Sequence, residues 1–515
     1  MLGSSECATL VGLDAQPVRI EVSASRGVPI FELVGLAEAA VRESRVRVKS
    51  ALAGMGVDLS EYRIVVNMAP ADLRKTGSGF DLAIAAATLA SLGKISPASL
   101  SGTLLLGELS LNGGLHAMRG ILPHLLSARE RGVLRAVVPL ANRQEASLVT
   151  GIDVRCAASL KEFVDSVNGT LTLSAATSDA PRKGLSQTLE DLADVRGQAG
   201  ARRAIEIAAA GGHNLLMIGP PGSGKTMLAR RMGGILPELT EREAIEVMAI
   251  ESVAGLLLKT EMTCDRPFRA PHHTVSDVGL VGGGEMPRPG EVSLAHHGVL
   301  FLDELAEFRR SALEALRQPL EDGCVTISRA QARATFPARP LVVGAMNPCP
   351  CGYQGDGTRR CHCSFERTKI YRAKLSGPLL DRLDVHVVLP PVDVSALSSR
   401  VRGESTQVVR QRVERARAIQ RERARRGTVR VTTNAGLSVS EVEHVCALDA
   451  GGASLLARAM DRLSLSARAY GKVLRVSRTI ADLDGKDAIA TAHVAEAIGT
   501  RVLDRRQDGA RLDAA

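Results

Sequence analysis

Residues 219–226 read Gly-Pro-Pro-Gly-Ser-Gly-Lys-Thr, flanked by an apolar run at 214–218 and a helical run at 227–232. The pattern G-x-x-x-x-G-K-[ST] between a strand and a helix is a phosphate cradle. Gly219, Pro220, Pro221, Gly222, Ser223 and Gly224 make the loop. Its backbone N–H groups turn inward, and the helix N-terminus behind them adds partial positive charge. Lys225 is expected to reach the β- and γ-phosphates of ATP, and Thr226 to offer its hydroxyl to Mg2+. Further along, the apolar stretch 299–302 ends in Asp303 and Glu304, the Walker B arrangement. Asp303 would hold Mg2+ through water, and Glu304 would orient and deprotonate the attacking water. Another buried stretch, 341–346, ends at Asn347, placed to touch the γ-phosphate or the lytic water as sensor-1. The segment 376–384, SGPLLDRLD, puts Arg382 in a short exposed stretch before a strand at 385–389. An arginine finger there is supplied to a neighbouring subunit and is worth about 10³–10⁵ in rate. The plainer alternative for Arg382 is a surface ion pair with Asp381 or Asp384.

Four of the nine cysteines fall in two short pairs, Cys349-Pro-Cys351 and Cys361-His-Cys363, around a loop rich in Gly, Asp and Arg. Four thiolates from two pairs can close a tetrahedral Zn2+ site in a reducing compartment, with His362 as a spare ligand. Ligands one residue apart strain the chelate, so reduced cysteines packing a turn are the alternative. Directly after Asn347, the cluster is placed to stiffen the chain between that residue and Arg382.

These groups need elements to hold them, and the hydrophobic pattern supplies three regions. In the first, Val18, Ile20 and Val22 alternate with polar neighbours, 36–54 has helical spacing, 62–68 reads as a buried strand and 82–92 as an Ala-rich buried helix. The stretch 168–187 has no periodicity and reads as a linker. A second α/β unit carries nearly all the chemistry. From about residue 404 the strand signals fade, and helices are expected at 407–426, 438–447, 452–461, 466–483 and 486–503. The expected boundaries are therefore 1–170, a linker at 171–188, 189–400 and 401–515.

The 515 residues, 45% hydrophobic and 23% charged, suit a globular protein with ample core. No run approaches the ~18 apolar residues of a membrane span, and no basic residue precedes Arg19, unlike a signal peptide. A cytoplasmic location with no membrane partner is expected. The net charge of +9 is uneven: residues 401–515 carry 21 basic against 14 acidic side chains. A basic region is the footprint of nucleic acid, or merely the mark of an arginine-rich composition. With no Trp and 2% aromatic residues, base stacking on single strands is disfavoured. Duplex or branched DNA, held without sequence preference, is the better expectation.

Taken together, DVRGQAGARRAIEIAAAGGHNLLMIGPPGSGKT at 194–226, RPFRAPHHTVSDVGLVGGG at 266–284, LAHHGVLFLDEL at 294–305 and MNPCPCG at 346–352 resemble the AAA+ ATPases of the magnesium-chelatase branch, and more narrowly the YifB/ComM family. The N-terminal strings KTGSGFDLAIAAATLASLG at 75–93, GELSLNGGLHAMRGILPHLL at 107–126 and RAVVPLANRQEA at 135–146 resemble the Lon protease domain. The resemblance implies an α/β chain: a AAA+ P-loop core with a helical C-terminal lid, preceded by a separate Lon-protease-like domain. It implies a homohexameric, ATP-driven DNA motor that promotes branch migration during natural transformation. It also implies a sensor-2 arginine on the lid facing the nucleotide, with Arg468 first choice and Arg475 second. The Lon nucleophile position falls at Gly79 and its lysine at Leu122, so that domain is expected to be non-catalytic. A displaced dyad of Ser78 with Lys75 or Lys94 is the minor alternative.

DNA would touch a hairpin expected at 324–336, with Arg329 and Arg333 near its tip, as in related motors. A second candidate is the arginine-rich helix 407–426, with Val409, Val413, Ala416 and Gln420 as its buried stripe; solvated charge is the plainer reading there. Competing functions are the ATPase subunit of a metal-chelatase complex, an ATP-dependent protease, disfavoured by Gly79 and Leu122, and a non-enzymatic nucleotide switch.

Overall fold

The computed structural model describes residues 2–35, 39–77, 79–177, 190–257, 264–284, 287–329, 332–355, 359–391, 402–463 and 465–501. Its first unit is built on an eight-stranded mixed sheet. Leu2–Val11 and Asp14–Arg26 form a long antiparallel hairpin, and Tyr62–Ala69 pairs antiparallel with the second arm. On the other side Thr103–Leu105, Arg135–Pro139 and Asp153–Ala157 run parallel. Asp81–Ser91, buried at every residue, lies across the sheet. The arm Asp14–Arg26 contains the expected alternation at 18–22 and extends it both ways. Its partner Leu2–Val11 carried no hydropathy signal because its inward positions are Gly3, Ser5 and Cys7. Only glycine fits at the first of these: a Cβ on Gly3 would lie 2.2 Å from the Ala87 carbonyl oxygen of the crossing helix. The sheet also continues past residue 170, since Ser174–Ala175 pairs antiparallel with Asp153–Ala157. Residues 178–188 of the expected linker lie outside the described residues, as does Ser78.

The second unit holds a five-stranded, wholly parallel sheet in the order Phe268–Arg269, Val299–Leu302, Leu341–Met346, Leu215–Ile218, Val385–Val388. Its three central strands are buried at every position, which explains their unbroken apolar runs. The strand that leads to Asn347 is inserted between the P-loop strand and the strand that leads to Asp303. One face of the sheet is covered by Ala199–Gly211, Lys225–Ile235 and the C-terminal helices. Among the latter, Thr406–Arg425 turns Val409, Val413, Ala416 and Gln420 inward, as its spacing requires. The last helix begins at Thr491 rather than near 486, because the carbonyls of Lys486 and Asp487 are occupied by the Arg478 guanidinium.

A helix joins the units, as does the turn at Gly12 and Leu13, where a Cβ on Gly12 would meet the Thr335 carbonyl oxygen at 2.7 Å. Glu241–Ala254, opened by a Thr240/Glu243 capping box, sends Ala244, Val247 and Met248 into the first unit's core. Glu145 accepts from both the Leu122 N–H (2.9 Å) and the Ser252 hydroxyl, and the Gly120 N–H reaches the Ser252 carbonyl at 3.3 Å. Among the described residues no helix is long and apolar enough to cross a membrane.

Candidate nucleotide site

The P-loop leaves the C-terminal end of Leu215–Ile218 and enters the helix Lys225–Ile235. Gly222 and Gly224 stand at φ +79° and +90°, a backbone that L side chains resist. Lys225 is buried, and its ammonium bends back to donate to the carbonyls of Gly219 (2.7 Å) and Pro220 (2.9 Å) and to Asn347 Oδ1 (3.3 Å). Burial pulls its pKa down, while Asp303 and Glu304 pull it up. The Ser223 hydroxyl is buried without a hydrogen-bond partner among the described residues. A buried ammonium on loop carbonyls beside an orphaned hydroxyl fits an anionic ligand bearing several oxygens. The Thr226 hydroxyl donates to Asp303 Oδ2 at 2.7 Å, so the two expected Mg2+ residues meet. Both are oxygen donors, the type a hard cation takes.

Glu304 sits one residue beyond, with φ +51°, and its amide donates to Asp303 Oδ1 at 2.9 Å. Its carboxylate is met by a residue that motif reasoning passed over: His273 Nδ1 lies 3.1 Å from Glu304 Oε2. The signal was present in the Pro-His-His-Thr run at 271–274, but nothing in the sequence places that run beside the acidic pair. Thus the structure gathers Lys225, Thr226, Asp303, Glu304 and Asn347 at one rim.

Arg382 is elsewhere. Its strand runs parallel to the P-loop strand, and the Asp384 amide bonds the Asn214 carbonyl, so Arg382 lies at the opposite end of the sheet. Four residues at about 3.3 Å each separate the two ends by about 13 Å. Nor is the side chain exposed as expected: it is 14% accessible and pairs with Glu321 rather than with Asp381 or Asp384. Those two carboxylates serve Arg468 (3.6 Å) and Lys472 (2.9 Å). Arg468, 66% accessible at the start of Ala467–Leu483, therefore stands beside the Arg382 segment and not over its own P-loop. The Lys472 contact, on the same helix, fixes it there. Arg475 donates twice to the Leu437 carbonyl, at 2.9 and 2.6 Å, inside the helical region.

The four cysteines come together. Sγ of Cys349 lies 3.4 Å from Cys351 and 3.7 Å from Cys361, with 3.6 Å between the latter two. All four sulfurs, Cys363 included, lie within 4.8 Å of one another, and His362 is exposed outside the group. Tetrahedral Zn–S bonds of about 2.3 Å imply S···S edges of about 3.8 Å. The knuckle abuts the P-loop: a Cβ on Gly352 would meet Pro221 Cδ at 2.8 Å. A second cluster, Glu246 with His296 and His297, has a different character. His296 Nδ1 accepts from the Arg339 amide (3.1 Å), so its Nε2–H faces Glu246 Oε2 (3.2 Å) and no lone pair is free there for a metal. Burial pushes this imidazole down to about 4, which keeps it neutral.

The expected hairpin is present as Cys324–Arg329 and Ala332–Pro337, with Ser328 opposite Arg333. Val325, Ile327, Ala334 and Phe336 anchor its arms in the core, and Arg333 is exposed. The tip at 330–331 lies outside the described residues. The arginine-rich helix is different: most of its guanidinium groups are engaged. Arg410 pairs with Glu414 and Glu238, Arg412 with Glu206 and Glu404, Arg423 with Asp482, and Arg425 and Arg426 with Glu422.

A phosphate loop, an acidic strand end and a polar strand end on a parallel sheet, with the Asn347 strand inserted, define a AAA+ P-loop ATPase core. Three families match along the chain: "Subunit ChlI of Mg-chelatase" at 20–142, "Magnesium chelatase, subunit ChlI" at 191–397 and "Magnesium chelatase, subunit ChlI C-terminal" at 403–501. Competence protein ComM of Haemophilus influenzae is 44% identical over 500 residues, covering 96% of each chain. YifB of Escherichia coli is 42% identical over 498 residues, again 96% of each. Over 122 residues, 23% of this chain and 21% of the other, Lon protease 2 of Bacillus subtilis is 27% identical. The chain belongs to the YifB/ComM family.

Proposed function

We propose that this protein is an ATP-driven motor on duplex or branched DNA, a branch-migration helicase working in the cytoplasm as a homohexamer. The observation that carries the reading is the position of Arg382, one strand length from its own P-loop. A ring answers that separation by presenting Arg382, with Arg468 beside it, to the next subunit's γ-phosphate. Within one site, Gly219–Thr226 would cradle the triphosphate, Thr226 and Asp303 would hold Mg2+, and Asn347 would orient the terminal phosphate. Bound Mg2+ supplies charge neutralisation at the phosphate oxygens. Glu304 takes the proton of the attacking water as that oxygen bonds to phosphorus and the bond to the leaving diphosphate breaks. Arg329 and Arg333 would carry the DNA backbone by sequence-independent contacts.

The boundaries 189–400 and 401–515 belong to this reading, with the first unit, carried past 170 by the strand Ser174–Ala175 at the expense of the expected linker 171–188, a non-catalytic scaffold. So does Zn2+ on Cys349, Cys351, Cys361 and Cys363, stiffening the knuckle against Pro221; about one zinc per purified chain is expected, and under about 0.2 removes it. The relative called a competence protein supports a role in natural transformation. A second reading, the ATPase subunit of a metal chelatase, is favoured by the descriptions of the matching families. Phosphate release measured with forked, four-way and linear duplex DNA decides between them. A severalfold stimulation supports the motor, and an identical rate without DNA ends that reading.

A further inference from the structure

His273 reaches the catalytic rim along a short, well-anchored path. The strand Phe268–Arg269 pairs parallel with Val299–Leu302, so the residues that follow each strand emerge at the same rim. Arg269 clamps this edge through Glu291, with Nε–Oε2 at 2.7 Å and Nη2–Oε1 at 2.8 Å. Beyond it, His272 Nδ1 is tied to the Thr274 hydroxyl at 2.9 Å, and its ring lies tilted against His273 with ring centroids 4.1 Å apart. On another side the His273 ring stands edge-on to Phe308 at 6.5 Å. The imidazole is thus held by its neighbours before anything binds.

Its partner is held far less. The Glu304 side chain is 56% accessible. Ordering a long, exposed glutamate side chain costs rotamer entropy. His273 Nδ1 stands at ion-pair distance, 3.1 Å, from Oε2, a contact that narrows this freedom from one side of the carboxylate.

We propose that His273 is a positioning residue for ATP hydrolysis, holding the Glu304 carboxylate by Oε2 so that its other oxygen addresses the attacking water. The proposal rests on Glu304 being the general base. The test compares wild type, His273→Ala, His273→Asn and Glu304→Gln in the full chain. It measures phosphate release with Mg-ATP, the affinity for a fluorescent ATP analogue, and the melting temperature. The alanine variant is expected to lose about 10- to 100-fold in kcat, the scale of a misplaced catalytic group. Its KM, nucleotide affinity and melting temperature should stay within about twofold or a few degrees of wild type, because His273 touches Glu304 and not the phosphates. Asparagine keeps a short N–H donor and should recover most of the loss.

Wild-type or faster turnover in His273→Ala, or an asparagine variant as slow as alanine, overturns the proposal. A parallel fall in nucleotide affinity or melting temperature overturns it too, by making the role structural. The glutamate variant separates the two layers. If Glu304→Gln turns over normally, the general-base reading has failed; if it is inactive while His273→Ala is normal, only the role of His273 has failed.

Discussion

The two α/β units use their charged side chains in opposite ways. In the first, each notable polar group is locked to a structural partner. Asp81, wholly buried, is gripped by Arg47 at 2.6 and 3.1 Å, and burial still pushes its carboxyl up. Lys75 is buried against the Pro70 carbonyl, and His124 sits between the carbonyls of Gly120 and Ala8. Where a Lon-like nucleophile and lysine would stand there are Gly79 and a fully buried Leu122. In the second unit Lys225, Thr226, Asp303 and Glu304 hold only one another, loop carbonyls and nearby side chains at an open rim. The difference follows from topology. A wholly parallel sheet delivers successive loops to one edge, whereas the mixed sheet spreads its turns over both ends. One architecture collects chemistry; the other consumes its polar groups in holding itself together.

The sharpest test of that contrast lies at the rim. Lys225→Ala should weaken nucleotide binding by more than about 100-fold, while Glu304→Gln should bind normally and lose at least about 100-fold in turnover. Fluorescent-nucleotide titration and phosphate release read the two effects, and normal turnover in Glu304→Gln would break the catalytic half of the comparison. Next in size, the double change Gly79→Ser and Leu122→Lys should restore no casein cleavage. It should destabilise the protein by several kcal/mol in urea, because an ammonium would replace a fully buried methyl group and a Cβ on Gly79 would meet Met118 Cε at 2.2 Å. Casein cleavage by that variant would show that the first unit had kept a usable site.

Arg47→Ala removes one partner of a buried pair and should cost about 3–5 kcal/mol, read by denaturation of the full chain. Nucleotide affinity of the folded fraction should be unchanged, and a joint loss would mean that the units are not separable in this way. The smallest effect concerns DNA. Arg329→Ala with Arg333→Ala should lower the slope of log affinity against log salt by about one to two units. Charge reversal at Arg412 should instead act on stability, since that guanidinium already serves Glu206 and Glu404. A larger loss of DNA affinity from the Arg412 change than from the hairpin pair would reverse this assignment.

Much of the fold was legible because burial and hydropathy coincide in it. The strands Val299–Leu302 and Leu341–Met346 and the inward stripe of Thr406–Arg425 are apolar where they are buried. Leu2–Val11 was not legible, because its buried positions are small or polar and register alone makes it a strand. The short strand Ser174–Ala175 was not legible either, since neither residue is buried and pairing alone makes it a strand.

For the site, the local motif and the distant contact divide cleanly. Chain order alone determined the P-loop, the acidic pair and Asn347, because each works through backbone conformation and a strand end that neighbouring residues dictate. The two cysteine pairs were likewise readable as one group, since the loop between them is short. Only the tertiary structure decided that His273 faces Glu304, that Arg382 pairs with Glu321 and points away from its own P-loop, and that most arginines of Thr406–Arg425 are engaged by carboxylates. Apart from the pairs of Arg410 with Glu414 and of Arg425 and Arg426 with Glu422, which lie within one helical turn, those pairings join residues far apart in the chain, and strand order and helix docking bring them within a few ångströms, which no local propensity encodes.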